Sequence, residues 1–251
     1  MDIKKEIDRI CGFIRNYCRQ TGFENLVIGL SGGIDSALSA VLAVRAIGAE
    51  HVFAYNIPYR NSHPDSAGDA CIMAKHLGIG METIALSPMT DSYFEAYEPE
   101  ATPLRRGNWM ARIRMNVLYD QAAKRHALVL GTGNRTELLV GYYTQFGDAA
   151  CAFEPIGHLY KTEVWEMAKV LALPEKLIHK TPTADLWAGQ SDEAEMGISY
   201  PRLDAVLKHL TEPNLYPDPN ATEAELTKVR KMIASSEFKR VMPPILEREL
   251  C

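Results

Sequence analysis

The amino-acid sequence predicts an α/β fold, a doubly wound parallel sheet flanked by helices. Short apolar runs alternate with longer segments of helical composition through the first half of the chain, as expected for parallel strands joined by helical crossovers. The run at residues 127–130 is apolar at every position, which indicates burial on both faces of a sheet. With 251 residues, 47% of them hydrophobic, the chain can bury one sizeable core, and residues 1–251 are expected to form a single domain.

The alternation sets the order of the predicted elements. Strands are placed at residues 26–30, 52–57, 82–86 and 127–131, with helices at 36–47, 66–77 and 134–140 and a less regular continuation after the third strand. Later helices are predicted at 161–171 and 222–233, and the segments 83–106, 142–157 and 181–199 are interpreted as loop-rich. An amphipathic helix opens the chain, because one apolar stripe recurs at three- and four-residue steps: Ile3, Ile7, Ile10, Phe13, Ile14 and Tyr17.

Composition argues against several classes of partner. The net charge of -5 provides no basic field for a phosphate backbone, so nucleic acid is not expected as a partner. The most apolar long stretch, residues 26–44, contains two glycines and Asp35, which argues against a membrane span. Charged residues interrupt the N-terminal segment, and the five cysteines are odd in number and widely spread. These features predict a cytoplasmic protein without a disulfide framework or a structural zinc site.

A glycine-rich loop between the first strand and the next helix is the strongest chemical signal. Backbone N–H groups and the helix dipole favour a phosphate at such a position, and glycines allow the anion to approach closely. The serine hydroxyls can donate to phosphate oxygens. The residues predicted to bind the phosphates of a nucleotide in this loop are Gly29, Ser31, Gly32, Gly33, Asp35 and Ser36.

Asp35 determines which kind of phosphate loop this is. Its carboxylate would repel a phosphate unless a cation lies between them, and magnesium often bridges one or two carboxylates and substrate oxygens. The loop lacks the G-x-x-x-x-G-K-S/T spacing of a Walker A motif and contains no lysine. The predicted site therefore combines a phosphate group with Mg²⁺.

The Ser-Gly-Gly-Ile-Asp-Ser sequence at residues 31–36 resembles the pyrophosphate-binding loop of the N-type ATP pyrophosphatases, which cleave ATP between its α and β phosphates. Further blocks at residues 107–115, 130–143, 155–161, 182–187 and 192–199 look like segments found together in ammonia-dependent NAD synthetases. The resemblance extends over nearly the whole chain and implies an adenine nucleotide alpha hydrolase-like fold.

The resemblance also implies roles for residues outside the loop. Thr132 and Thr183 would contact ATP, Lys161 and Lys239 would neutralise its phosphates, and Glu137 would be the second magnesium ligand beside Asp35. Two further roles concern the acceptor and ammonia. Arg112 would bind the dinucleotide substrate, although on periodicity alone Arg112 and Arg114 could equally face outward from a helix. Asp185 would lie in a lid and bind ammonium or accept its proton, and a plain loop-capping role fits it equally well.

The implied activity is that of an ATP-dependent amide ligase. Deamido-NAD would be adenylated, with release of pyrophosphate, and free ammonia would then displace AMP to give NAD. Asp35, Lys161 and Asp185 are the expected catalytic residues, and no nucleophilic side chain is required. The resemblance also implies a homodimer that binds the dinucleotide partly across its interface, to which the stripe of the opening helix could contribute.

One strip of sequence departs from the family pattern. NAD synthetases usually continue as Lys-Phe-Gly-Asp-Gly-Gly followed shortly by an aspartate, whereas this chain has Gln145, then Ala149 and Ala150, and Ala152 in place of the aspartate. Gln145 would contact the acceptor in this interpretation. The departure leaves open an alternative, a paralogue that amidates a different carboxylate or nucleotide by the same chemistry. A nucleotide-binding regulator is disfavoured by the two predicted magnesium carboxylates.

Overall fold

The computed structural model describes residues 2–187 and 189–246. Its centre is a four-stranded parallel sheet in the order β3-β2-β1-β4. The strands are β1 (Asn25–Gly29), β2 (Val52–Asn56), β3 (Met81–Thr83) and β4 (Ala127–Val129). Leu26 is in register with Val52 on one side and with Leu128 on the other. The predicted parallel sheet is confirmed.

The helices follow the strands in the predicted alternation and continue after β4. They are α1 (Ile3–Thr21), α2 (Ile34–Ile47), α3 (Pro64–Leu77), α4 (Ser87–Tyr97), α5 (Pro103–Lys124), α6 (Arg135–Val140), α7 (Lys161–Val170), α8 (Glu175–Ile178), α9 (Asp192–Met196), α10 (Tyr200–Thr211) and α11 (Glu223–Ser236). Two short 3₁₀ helices lie at Ala49–His51 and Glu237–Lys239. No described residue after Lys239 is helical or extended in a sheet, as the prolines at 243 and 244 predict.

Strand β1 is buried on both of its faces, which is the signature of a doubly wound sheet. Leu26 and Ile28 join one apolar cluster with side chains of α1, α2 and α7, whereas Val27 joins a second cluster with side chains of α5. All three strand residues are 0% exposed. Alternate side chains of β1 therefore enter two separate cores, and this requirement explains why residues 26–28 are all apolar.

The centre of the apolar stripe of α1 is buried inside this chain, whereas Phe13 is 45% exposed. Asp2 caps the helix by accepting a hydrogen bond from the Lys5 amide, and Gly22 ends it in a left-handed conformation. Ile7, Ile10 and Ile14 pack in the same cluster as α2 and α7. The expectation that the stripe contributes to a contact with a second copy is therefore wrong for these residues, because the chain's own helices cover them.

The segment predicted as a loop at residues 83–106 is largely helical. Strand β3 ends at Thr83, and α4 and the start of α5 occupy most of residues 87–106. Thr102 caps α5 by accepting a hydrogen bond from the Arg105 amide, and Pro103 is the first helical residue. This Thr-Pro pair was a readable start signal. The segment 181–199 is less loop-rich than predicted, since it contains α9.

The sheet order creates a switch point at β1. Strand β2 lies on one side of β1 and β4 on the other, so the chain leaves the carboxyl ends of β1 and β4 in opposite directions. A crevice forms between such diverging connections, and ligands of open α/β sheets bind there. The phosphate loop follows β1, and the segment containing Thr132 follows β4. Within the two described ranges, no helix has both the length and the apolarity required to cross a membrane.

Candidate active site

A cavity of about 580 Å³ opens at the carboxyl ends of β1 and β4. Most residues singled out from the sequence line its wall, namely Gly29, Ser31, Gly33, Asp35, Ser36, Thr132, Glu137, Lys161, Thr183, Asp185 and Lys239. These residues come from five separate parts of the chain. Parallel strands bring the first two parts together, and the later helices and loops supply the others. The tertiary structure thus joins the predicted ATP, metal and catalytic residues in one place.

The phosphate loop is held in shape by its own serines and by close packing. Ser31 Oγ lies 3.1 Å from Ser36 Oγ and accepts a hydrogen bond from the Gly33 amide at 3.2 Å. Gly32 has a φ of +81°, and a Cβ atom there would lie 2.3 Å from the Ser66 carbonyl oxygen. Only glycine fits at this position. Helix α2 begins after Gly33 without a side-chain cap, so its first amides are available to an anion in the cavity.

Lys161 joins the two predicted magnesium ligands. Its Nζ donates to Asp35 Oδ2 at 2.5 Å and to Glu137 Oε1 at 3.1 Å. Asn134 donates from Nδ2 to the other oxygen of Asp35 at 2.9 Å. Lys161 is only 2% exposed, so this ion pair is shielded from water and its geometry is fixed by several partners. Two carboxylates thus converge on one point of positive charge.

Burial and charge act in opposite directions on the protonation of this cluster. Burial favours the neutral form of Lys161, but the carboxylates of Asp35 and Glu137 outweigh it and raise the pKa of the ammonium above its ordinary value. For Glu137, burial raises the pKa to about 7 against the lowering effect of Lys161. Lys161 therefore remains charged at neutral pH and supplies a permanent positive charge to the cavity.

A buried aspartate on α10 holds the backbone around Lys161 and Glu137. Asp204, 2% exposed, accepts hydrogen bonds from Thr136 Oγ1 at 2.5 Å and from the Thr162 amide at 2.8 Å. Thr136 Oγ1 in turn accepts from the Lys161 amide at 2.9 Å. The start of α7 and the residue next to Glu137 are thus fixed to the same carboxylate. Asp204 was not predicted, because no local pattern connects it with Thr162 and Thr136, which lie 42 and 68 positions away.

Lys180 supplies the cation that the phosphate loop itself lacks. Its Nζ donates to the Gly32 carbonyl at 3.1 Å and to Asp69 Oδ2 at 2.8 Å, and Lys180 lines the cavity. Asp69 is fully buried. Burial alone would raise its pKa, but the ammonium groups of Lys176 and Lys180 hold that pKa below its usual value. Lys180 was not predicted, since its partner Asp69 is 111 residues away in the sequence.

Thr183 and Asp185 lie in a segment that forms one wall of the cavity, which we call the lid segment (residues 181–187 and 189–196). Asp185 accepts hydrogen bonds from the His63 amide at 2.9 and 3.0 Å and from Ser66 Oγ at 3.1 Å. Its φ is +51°, an uncommon value for a residue with a side chain. Asp185 thus joins the lid segment to the start of α3. This geometry agrees with a loop-capping role, and its place in the cavity wall also leaves it accessible to a ligand.

Lys239 reaches the cavity from the opposite end of the chain. Its Nζ donates to the carbonyl oxygens of Gly141 at 2.8 Å and Tyr143 at 2.9 Å. Burial lowers its pKa, although Asp148 acts in the opposite direction. The ammonium is thus held by backbone groups that carry no net charge, and its positive charge remains available to an anion.

The two candidates for acceptor binding lie outside the cavity wall. Arg112 is exposed on α5, and its Nε donates to the Gln145 carbonyl at 3.3 Å. The side chain of Gln145 donates to the Phe238 carbonyl at 3.4 Å. Arg114, which the sequence analysis left as an outward-facing alternative, instead lines the cavity and donates to the Ile57 carbonyl at 3.0 Å. The acceptor roles of Arg112 and Gln145 stay predictions.

The strip that departs from the family pattern is divided between two environments. Ala149, Ala150 and Cys151 line the cavity. Ala152 packs against the core cluster that contains α1 and α2, its amide donates to Val129, and its carbonyl accepts from the Tyr17 hydroxyl at 3.0 Å. The side chain at position 152 therefore points away from the cavity in this chain.

Glu154 is a carboxylate in the cavity wall that the sequence analysis did not identify. Its Oε2 accepts a hydrogen bond from the Gly133 amide at 2.9 Å. A Cβ atom at Gly131 would lie 2.3 Å from the same oxygen, so a larger residue there would displace the Glu154 carboxylate. Burial raises the pKa of Glu154 from 4.5 to about 7. Glu154 thus fixes the loop that contains Thr132.

We expect Glu154→Gln to remove part of the pH dependence of stability. The folded-state pKa of about 7 exceeds the unfolded value of 4.5, so the folded state binds the proton more tightly. Wild-type protein therefore loses at most about 3 kcal/mol of stability as the pH rises from 4.5 to above the folded-state pKa of about 7, whereas the glutamine variant lacks this loss. Urea unfolding at acidic and alkaline pH measures the difference. The exposed Glu166→Gln is the control, and an unchanged pH dependence in Glu154→Gln would contradict the prediction.

Comparisons with known proteins show the family of this chain. The family model for NAD synthase matches residues 6–243. An NH₃-dependent NAD⁺ synthetase from Fusobacterium nucleatum is 45% identical over 249 residues, covering 98% of this chain and 96% of the relative. A protein with the same description from Chlorobaculum parvum is 48% identical, covering 93% of this chain and 85% of the relative.

Two solved structures resemble the whole chain. An NMN synthetase from Francisella tularensis superposes with a TM-score of 0.90 at 30% identity, covering 99% of this chain and 100% of the other. An NH₃-dependent NAD synthetase from Campylobacter jejuni superposes with a TM-score of 0.85 at 35% identity, covering 98% and 100%. The fold predicted from the sequence thus has counterparts along the full length of the chain.

Proposed function

Because this chain belongs to the NAD synthase family, we propose that it forms NAD from deamido-NAD, ammonia and ATP, with release of AMP and pyrophosphate. It is an enzyme that forms a carbon–nitrogen bond. One observation carries the proposal: a single cavity contains an uncapped phosphate loop and, beside it, the buried Lys161 paired with Asp35 and Glu137. A cavity with this wall can hold a nucleoside triphosphate and stabilise the charge that develops on its phosphates.

In the first step, the carboxylate of deamido-NAD attacks the α-phosphorus of ATP and pyrophosphate leaves. The amides at the start of α2 bind the phosphates, and three ammonium groups in the cavity wall, those of Lys161, Lys180 and Lys239, offset the negative charge. Thr132 and Thr183 contact the nucleotide from the loops that follow β4 and precede α9. Catalysis relies on positioning and on charge stabilisation, since the chemistry requires no covalent link to the protein.

Magnesium is the ion that we propose for Asp35 and Glu137. The two carboxylates approach one ammonium at 2.5 and 3.1 Å, and this convergence on a single positive charge supports a shared cation. Magnesium uses one or two carboxylates together with phosphate oxygens, which matches the residues present. When bound, the ion would draw electron density from the phosphates as pyrophosphate leaves.

In the second step, ammonia attacks the carbonyl carbon of the adenylate, and AMP leaves. We assign Asp185 to the binding of ammonium or to the acceptance of its proton, because it is a carboxylate in the cavity wall. Its contacts with His63 and Ser66 keep the lid segment attached to α3 at the same time. The one residue would thus both position the lid segment and attract the nitrogen donor.

The test is product formation by the purified protein. The assay contains ATP, magnesium and ammonium, with deamido-NAD or nicotinic acid mononucleotide as acceptor, and NAD, NMN and AMP are quantified. We expect NAD formation with kcat/KM of at least about 10⁴ M⁻¹s⁻¹. The mononucleotide arm is included because the solved Francisella structure is described as an NMN synthetase. If AMP forms with the mononucleotide or another carboxylate but not with deamido-NAD, deamido-NAD is rejected as the acceptor.

We also propose that two copies associate. Arg112 and Gln145 lie outside the cavity wall and next to Phe146, which is 56% exposed. If Arg112 contacts the dinucleotide, the substrate must extend beyond the cavity onto this surface. A second copy bound there would cover both the substrate and Phe146. Light scattering on the purified protein, with and without deamido-NAD, measures the assembly. A mass of one chain at all concentrations would contradict the proposal.

Lys180→Met is expected to raise the KM for ATP by about 10- to 100-fold, the range for a lost hydrogen bond to a charged group. The control is Lys176→Met. Lys176 also pairs with Asp69, at 2.8 Å, but its side chain is 53% exposed and it lies outside the cavity wall. We expect the control to change KM less than about threefold. Equal effects of the two substitutions would show that Lys180 acts only by neutralising Asp69.

A further inference from the structure

Tyr200 shares one hydroxyl between two carboxylates. The residue begins α10 and is 0% exposed. Its hydroxyl lies 3.1 Å from Glu137 Oε1 and 3.1 Å from Asp192 Oδ2. A phenol has a single O–H proton, so it can donate fully to only one of these acceptors at a time. Glu137 and Asp192 therefore compete for the same donor.

Asp192 is the residue of the lid segment that joins its two halves to each other and to Tyr142 and Tyr200 outside it. Its side chain is buried, and its Oδ1 accepts hydrogen bonds from the Ala184 amide at 3.0 Å and from the Tyr142 hydroxyl at 3.1 Å. Its own amide donates to the Pro182 carbonyl at 3.3 Å. Ala184 lies between Thr183 and Asp185, the two residues that the lid segment contributes to the proposed chemistry. The strength of the contacts around Asp192 thus determines how firmly those two residues are seated.

From these contacts we infer that Tyr200 is a positioning residue that couples the seating of the lid segment to the binding of a cation–nucleotide complex at Glu137. This inference rests on the proposed function of the cavity. A ligand that engages Glu137 replaces the hydroxyl as its partner, and the hydroxyl then donates to Asp192 and strengthens the seated lid. With the lid segment displaced, the hydroxyl donates to Glu137 and competes with the ligand. Because binding and seating each favour the other, the coupling is reciprocal.

The position of the Tyr200 ring does not depend on its hydroxyl. The ring packs edge-on against Trp165, with centroids 6.0 Å apart, and the Lys161 Nζ lies 5.0 Å from the ring centroid. Tyr200→Phe therefore removes the shared donor and keeps both ring contacts. Tyr160→Phe is a matched control. Tyr160 is 4% exposed in the same apolar cluster, and its hydroxyl is 3.0 Å from Thr211 Oγ1.

Hydrogen exchange tests the coupling without turnover. Amide exchange of peptides from the lid segment is measured with and without magnesium and α,β-methylene ATP, an analogue that cannot release pyrophosphate. In wild-type protein and in Tyr160→Phe, we expect the ligand to slow exchange of the lid segment by about tenfold or more. In Tyr200→Phe, where only the direct contact of Thr183 with the nucleotide remains, we expect the slowing to be at least about threefold smaller at saturating ligand, with exchange in β1 unchanged. Equal slowing in Tyr200→Phe and wild-type protein would overturn the inference.

A second variant covers the case in which Tyr200→Phe fails to fold. In Asp192→Asn, the amide oxygen can still accept from Ala184, while the amide nitrogen has no lone pair to accept from Tyr200. Asp192→Asn is also expected to lose most of the slowing of exchange in the lid segment. Full slowing in this variant, or no slowing in wild-type protein, would overturn the inference. If wild-type protein forms no NAD but its lid segment is slowed more than that of Tyr200→Phe, the proposed acceptor is rejected and the coupling is supported, so the two failures are distinguishable.

Discussion

Replacement of Lys161 by methionine is expected to abolish measurable AMP formation and to lower the free energy of unfolding by about 3–5 kcal/mol, the cost of removing one partner from a buried ion pair. Lys161 is 2% exposed and is the ammonium that Asp35 and Glu137 both contact. Without it, two carboxylates, each with a side chain 18% exposed, lose the charge that they share. Methionine matches the length of the lysine stem, so the loss reports on charge and not on a cavity.

Urea unfolding and AMP release measure the two effects separately. Lys169→Met is the matched control, since Lys169 lies on the same helix and is exposed. We expect it to change the free energy of unfolding by less than about 0.5 kcal/mol and to leave turnover intact. A Lys161→Met protein as stable as wild type would mean that the cluster is solvated in solution, and normal AMP release would remove Lys161 from the catalytic residues.

Replacement of Asp35 by asparagine is expected to reduce AMP formation by at least about 10³-fold with little change in stability, because preorganised charge at the phosphates is lost. Glu137 remains 3.1 Å from Lys161 and still balances its charge. The asparagine oxygen can accept the hydrogen bond that Asn134 donates to Asp35. We therefore expect the free energy of unfolding to fall by no more than about 1 kcal/mol.

Asp65→Asn tests whether the effect belongs to the cavity. Asp65 lies in the first turn of α3, as Asp35 lies in the first turn of α2, so both substitutions remove an acid near a helix N-terminus. Asp65 is exposed and outside the cavity wall. We expect its substitution to leave AMP release within about twofold of wild type. An Asp35→Asn enzyme with normal turnover would refute the metal and catalytic assignments of Asp35.

Residues that are close in sequence were the ones that sequence analysis placed well. The loop from Gly29 to Ser36 lies between a strand and a helix, and both flanking elements have strong local signals, so its position at a cavity followed from connectivity alone. Arg112 and Arg114 show where the same reasoning stopped. Buried Gly107 and Ala111 on α5 place Arg114, three residues later, on the inward face, but small residues carry a weak periodic signal.

The sequence by itself determined the alternation of strands and helices, the phosphate loop after β1 and the membership of a family, since each depends on local composition or on ordered motifs. Only the tertiary structure decided which side chains face the cavity. Lys180 pairs with Asp69 across 111 positions, and Tyr200 joins Glu137 to Asp192 across α6, α9 and α10. Such contacts form between surfaces that are brought together by the burial of apolar cores, and no spacing within one segment specifies them.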